Sequence, residues 1–265
     1  IALKVNATSS DIHFLKAEFL LKDKKIKEAR DEYEQAIKLD KSSYSVWTQL
    51  LSTEAELGEH KLLEAHSFEA MELFPNQPLP YFFNGISNAT LKNYPKAIES
   101  FNDGLEFVYN NNLLLIDFYS SLGEAYNSNK EYDKSDKAFD DALKIDPDNA
   151  SILNNYAYYL SLRKEKLERA EKFSRRSNEL SPNNRSYLDT YGWILYQQGK
   201  YKEAETWLAR AVKIGSKSAI AEHYGDVLYK LDKKEEALKY WQDAKLAGGG
   251  SEYLEKKIAD KKLYE

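Results

Sequence analysis

The chain has 265 residues, 42% of them hydrophobic and 31% charged, with a net charge of −5. That length permits one large or two ordinary domains, and the acidic balance removes the electrostatic case for nucleic acid, which calls for a basic stripe. There is no cysteine for disulfides or thiolate chemistry, no apolar run reaches the roughly 18 residues of a membrane-spanning helix, and the scarcity of Gly (11) and Pro (6) implies many helices and few turns.

The first ten residues, "IALKVNATSS", align with "DALKIDPDNA" at 141–150, so that Ala2, Leu3 and Val5 fall on Ala142, Leu143 and Ile145. Residues 1–9 are therefore expected to be the tail of a second helix from a preceding pair, within the C-terminal part of a longer protein. From there a ruler runs down the chain. Ala29, Leu63, Ala97, Ser135, Ala170, Ala204 and Ala237 stand 34, 34, 38, 35, 34 and 33 residues apart. Repeats of such a period signal a stacked array.

Each copy reads as two amphipathic helices. The first, 10–43, is the weakest and rests on Ala17, Ala29, Tyr33 and Ala36. The second, 44–77, keeps Trp47, Leu50, Ala70 and Pro75 but has Leu51 and Leu63 where small residues are usual. The third, 78–111, carries Tyr81, Gly85, Ala97, Phe101 and Gly104. "FVYNNNLLLID" at 107–117 accounts for the one long spacing and is expected to lengthen a helix pair and its loop. The fourth, 116–149, shows Tyr119, Leu122, Gly123 and Tyr126, then Ser135, Phe139 and Ala142, with Pro147 after the last turn. The fifth, 150–184, keeps Leu153, Tyr156, Ala157, Leu160, Ala170 and Pro182, with one extra residue in its "RKEKLER" turn.

The sixth copy, 185–217, has Leu188, Tyr191, Gly192 and Leu195, then Ala204, Leu208 and Ala211. A mid-helix Gly192 costs about 1 kcal/mol relative to Ala, which close packing against Ala204 is expected to offset. The seventh, 218–247, has Ala221, Tyr224, Gly225 and Leu228, then Ala237, Trp241 and Ala244. Residues 248–265 supply a glycine hinge and a charged helix, expected to cap an end that lacks a neighbour.

These residues resemble the tetratricopeptide repeat, with its 34-residue period and W-x2-L-G-x2-Y, A-x3-F and P positions. The resemblance covers residues 10–247 and implies an all-α, right-handed α-solenoid of about seven helix-turn-helix repeats with a C-terminal capping helix. It also implies that the first helices line a concave, partner-binding face. Opposite the packing positions, that face would carry Asn154, Asn155 and Tyr158, then Asp189, Trp193 and Tyr196, then Glu222, Asp226 and Tyr229. Aromatic rings supply contact area, and Asn offers a donor and an acceptor to a peptide backbone. In the third copy the same face is apolar at Phe82, Phe83 and Ile86, suiting a hydrophobic partner or a covered wall. Chaperone-binding members of the family clamp acidic tails with basic inner faces, a role that the acidic Glu124, Asp189, Glu222 and Asp226 disfavour.

No catalytic constellation appears. The four His do not stand at metal-ligand spacing, no metal or cofactor is expected, and His223 reads as part of a solvated face. The basic residues of "LERAEKFSRRSNEL" at 167–180 likewise read as a solvated outer face. The expectation is a non-catalytic scaffold for protein or peptide partners. From residue 116 onward the wording resembles bacterial envelope proteins of the family, some lipid-anchored, which implies an outer-membrane or periplasmic assembly or secretion complex. A peptide-binding or chaperone-like module of the cytoplasm, or a helical part of a longer enzyme, are the alternatives.

Overall fold

The computed structural model describes residues 9–215 and 217–264. The expected helix tail at 1–9 lies, apart from Ser9, outside them. Among the described residues the regular structure is fifteen α-helices. They pair as α1 (Ser10–Lys22) with α2 (Ile26–Leu39), α3 (Tyr44–Leu57) with α4 (His60–Leu73), α5 (Pro78–Thr90) with α6 (Tyr94–Leu105), and α7 (Asn112–Ser128) with α8 (Tyr132–Ile145). Then come α9 (Ala150–Arg163) with α10 (Leu167–Leu180), α11 (Arg185–Gln197) with α12 (Tyr201–Ile214), α13 (Ser218–Lys230) with α14 (Lys234–Leu246), and finally α15 (Leu254–Asp260). The fold is the all-α solenoid of helix pairs that the repeat pattern implies. It divides into two compact units, residues 1–145 and 146–265.

Short turns make each pair. The chain leaves a first helix through a left-handed residue, which is glycine at Gly58 and Gly199 but Lys24, Lys92, Lys130, Lys164 and Asp232 elsewhere. A non-glycine residue there costs about 1 kcal/mol. The backbone bonds that close the turn, such as Lys200 N to Leu195 O at 2.9 Å and Asn93 N to Asn88 O at 2.8 Å, offset it. The long spacing becomes the 17-residue α7, whose Asn111 cap accepts a hydrogen bond from Leu114 N.

The joint inside four of the pairs sets a glycine against a large residue. A Cβ built on Gly192 would stand 2.6 Å from Leu208 Cγ. The expected neighbour, Ala204, is not the one that crowds it. Leu208 sits one turn further along α12, and a helical side chain covers the turn N-terminal to its own Cα. Gly85 meets Phe101, Gly123 meets Phe139 and Gly225 meets Trp241 in the same way. In α3 and α4 the sizes are reversed, with Leu51 on the first helix and Ser67 at the register of those large residues, both fully buried. With Leu63 also in the joint, α3 and α4 run close together over less of their length than any other pair.

In the first unit, one core cluster gathers Tyr33, Trp47, Leu50, Leu51 and Leu63, and another gathers Phe101, Phe118 and Leu122. The apolar Phe82, Phe83 and Ile86 bind these clusters together. Phe82 lies edge-on 5.1 Å from Phe118, Ile86 packs on the second cluster and Phe83 on the first. That face is half-buried packing between neighbouring pairs.

At the end of the second unit, the segment 248–253 carries α15 back onto α13. Ser251 donates through its N–H and hydroxyl to Glu222. Lys257, 3% exposed, reaches Glu222 at 2.8 Å and Asp226 at 2.7 Å. A second buried carboxylate, Glu54, is held by His66 Nδ1 at 2.6 Å.

Three outcomes test this account. Gly192→Leu should overpack the joint and lower unfolding free energy by about 1–3 kcal/mol, measured by denaturant titration. Lys257→Met strands two buried carboxylates and should cost about 3–5 kcal/mol, most of it recovered on adding Glu222→Gln and Asp226→Asn. Glu54 raises the His66 pKa above its ordinary 6.5. The folded state therefore gains full stability from that group below pH 6.5 and loses it as pH rises through the raised value. The gap in unfolding midpoint between the native chain and His66→Asn should narrow over that interval.

Candidate functional site

The candidate partner strip lies within the second unit, on α9, α11 and α13. Asn caps start two of these helices. Asn149 accepts from Ile152 N, and Asn184 accepts from Ser186 N and Tyr187 N, each satisfying first-turn donors. The caps fix the rotation at which the next residues meet the neighbouring helix.

Aromatic rings form its centre. The Trp193 indole stacks on Tyr196 at 4.8 Å and on His223 at 4.1 Å, with interplanar angles of 11° and 18°. His223 Nδ1 meets Asp189 at 3.0 Å. Burial works against protonation of His223, but Asp189, with Asp226 and Glu222 behind it, outweighs burial and raises its pKa. In its protonated form an imidazole under an indole face makes a favourable cation–π arrangement. His223 is thus a linchpin between α11 and α13, and the expectation of a solvated histidine is corrected: Asp189 and Trp193 enclose it. Tyr158 stands at the α9 end, its pKa raised by burial and then by Asp189.

Two polar atoms in the strip are buried without a partner among the described residues, Trp193 Nε1 and Asn154 Oδ1. The Asn154 amide donates to Asn155 at 3.3 Å. One unmet donor and one unmet acceptor on adjacent first helices, beside stacked rings, match what an extended peptide backbone offers.

The strip's other end is closed. Glu222 and Asp226, expected to face a partner, are 4% and 3% exposed and are occupied by Lys257. The reason is electrostatic, since carboxylates taken out of water need a cation. Burial pushes the Asp226 carboxyl up to about 6 against the pull of Lys257, whereas at Glu222 Lys257 and Ser251 outweigh burial and hold the pKa low. Tyr229 stacks on Trp241 at 5.6 Å, and Tyr196 is 4% exposed. Asn155, Tyr158 and Trp193 are therefore the half-buried remainder of the strip, with Asn154 at 6% and Asp189 at 8% exposure buried behind them and Glu222, Asp226 and Tyr229 built into the packing of the last pair. Sequence reasoning missed Lys257. Its one signal is a lysine beside Leu254 and Ile258 on the packed side of α15.

The basic run on α10 is a set of ion pairs with carboxylates nearby. Arg176 grips Asp148 with two nitrogens and also meets Glu179, and Arg175 meets Glu171. Among the described residues no group of three or more potential ligands is placed to hold a metal, and no helix is long and apolar enough to cross a membrane.

Comparison with known proteins agrees with this architecture. The sequence model of the family of anaphase-promoting complex (cyclosome) subunit 3 matches residues 163–244, and tetratricopeptide repeat models match 10–43, 116–149 and 138–172. A tetratricopeptide repeat-containing protein of Pseudomonas aeruginosa is 32% identical over 131 residues, 49% of this chain and 22% of that protein. The chain thus spans about a fifth of the length of this curated relative. A tetratricopeptide repeat protein from Parabacteroides merdae superposes with a TM-score of 0.77 at 13% identity, covering 95% of this chain and 98% of that one. The Cut9–Hcn1 hetero-tetramer of the anaphase-promoting complex gives 0.69 at 14% identity, covering 98% of this chain and 51% of that one. At these identities the superpositions speak to fold alone. With its helix pairs, its period and these matches in agreement, the chain belongs to the tetratricopeptide repeat family, whose fold is a scaffold for protein–protein interaction.

Proposed function

We propose that the chain is a non-catalytic scaffold that holds an extended segment of a partner protein along α9 and α11, as a subunit or accessory factor of a bacterial outer-membrane or periplasmic assembly or secretion complex. The observation that carries the binding mode is the buried, partnerless Nε1 of the half-buried Trp193, beside its stack on Tyr196 and His223. An unmet buried donor costs about 1–3 kcal/mol, which a partner carbonyl would relieve after a small rotation of the half-buried indole. Asn154 Oδ1 offers the complementary acceptor one helix away. The envelope setting is supported by the resemblance of the repeats from residue 116 onward to envelope members of the family. The stretch shared with the Pseudomonas aeruginosa protein is also consistent with a Gram-negative source.

Photo-crosslinking in the native cell tests both parts. A photoreactive residue at position 158 should give discrete protein adducts in the envelope fraction. Trp193→Ala, still folded by circular dichroism, should weaken capture by about 2 kcal/mol or more, as a buried aromatic anchor does. Adducts that persist unchanged in Trp193→Ala would overturn the binding mode, and adducts confined to the cytosolic fraction would overturn the setting.

A further inference from the structure

The three pairs of the second unit treat one joint alike. The residue before the joint's Gly or Ala faces an aromatic ring on the second helix of its own pair. Tyr156 lies 5.4 Å from Phe173, Tyr191 lies 4.6 Å from Trp207, and Tyr224 lies 4.7 Å from Tyr240. One turn later each first helix adds a buried leucine, namely Leu160, Leu195 and Leu228. Together these side chains fill the furrow beside each pair. Tyr191 shows its reach by extending its hydroxyl to Glu171 on the preceding second helix.

The third pair differs from these three at every one of the positions, whereas the second pair has Leu50, His66 and Glu54 there and the fourth Leu122, Ala138 and Tyr126. Asn84 replaces the tyrosine, Ser100 the facing ring and Asn88 the leucine. A 2.8 Å hydrogen bond from Ser100 Oγ to Asn84 Oδ1 stands where the others place an aromatic contact. The space so vacated is a cavity of about 460 Å³ lined by α4, α5 and α6, within the usual range of roughly 300–1,000 Å³ for ligand pockets. Of the pairs, this one alone is polar at all three positions, a local departure of the kind that marks function.

The lining specifies what would enter. Asn84 is spent on its neighbours: its amide donates to Ser67 Oγ at 3.0 Å, and its oxygen accepts from Asn88 and Ser100. Around the opening stand the carboxylates of Glu64, Glu99 and Asp103, with Lys96 the single cation among the lining residues. None of the three carboxylates makes an ion pair among the described residues. Phe68, 57% exposed, and Met71 form the apolar wall. The complement is a donor-rich cation on an apolar stem. An arginine has five N–H donors, a charge for the carboxylates, and methylenes and a planar head to lie along Phe68 and Met71.

We propose that this cavity is a docking site for an arginine side chain borne on an extended basic segment of another protein. It is separate from the aromatic strip of the second unit and does not rest on it.

A fluorescein-labelled peptide Ala-Leu-Arg-Leu-Ala, capped at its free end and titrated by fluorescence anisotropy, tests this against a control with citrulline in place of arginine. Saturable binding is expected for the arginine peptide, weakened about tenfold or more by Glu99→Lys with Asp103→Lys, which alters only exposed side chains. Asn84→Tyr with Ser100→Trp rebuilds the aromatic pair and should abolish binding at an unchanged or higher melting temperature. Trp193→Ala should bind the peptide as the native chain does, which separates this site from the strip. Equal binding of the citrulline peptide, no saturation with the native chain, or undiminished binding after charge reversal would each overturn the proposal.

Discussion

Four of the helix pairs close because one helix gives up volume where the other presents it. A glycine in the middle of a helix loses about 1 kcal/mol against alanine, and here the loss is met by a large side chain seated on the bare backbone. Gly85 under Phe101, Gly123 under Phe139 and Gly225 under Trp241 repeat one solution. Dispersion between atoms in contact is small per pair of atoms but large in sum, so these joints fix the register of one helix on the next. The neighbouring faces inherit their positions from them, including the Trp193–His223 stack, which needs α11 and α13 held side by side.

Charge follows the same logic of compensation. Three carboxylate-bearing places on first helices are withdrawn from water, and each receives a basic side chain from another helix. Glu54 has His66, Asp189 has His223, and Glu222 with Asp226 share Lys257. Acidic residues that look like a surface feature in the linear chain are interior fittings. What is left half-buried on this face is aromatic and amide in character, at Tyr158, Trp193 and Asn155.

The fold was legible because its information is periodic. The 34-residue step, the helical spacing of Tyr191, Leu195, Ala204 and Leu208, and the turn residues all reinforce one another. What could not be read was three-dimensional pairing across distance. Lys257 is 35 residues from Glu222 in the chain, and nothing local marks the two as a pair. The partner of Gly192 was placed one helical turn short, at Ala204, because spacing gives the face of a helix but not the tilt of its side chains. Asn84, Asn88 and Ser100 stand in plain view as polar residues. Their meaning appears only when the copies are laid in register and their counterparts in α9 to α14 are seen to be rings and leucines.

The reversed sizes in α3 and α4 carry a consequence for how such a chain can change over time. Leu51 and Ser67 satisfy the joint only as a couple, as Gly85 and Phe101 do elsewhere. A gene exchange that spliced α3 onto a second helix bearing a phenylalanine would drive two bulky groups into one space, while the reciprocal product would leave a void. Helices of different copies are therefore poorly interchangeable, however alike their sequences look, and the unit of inheritance here is the hairpin.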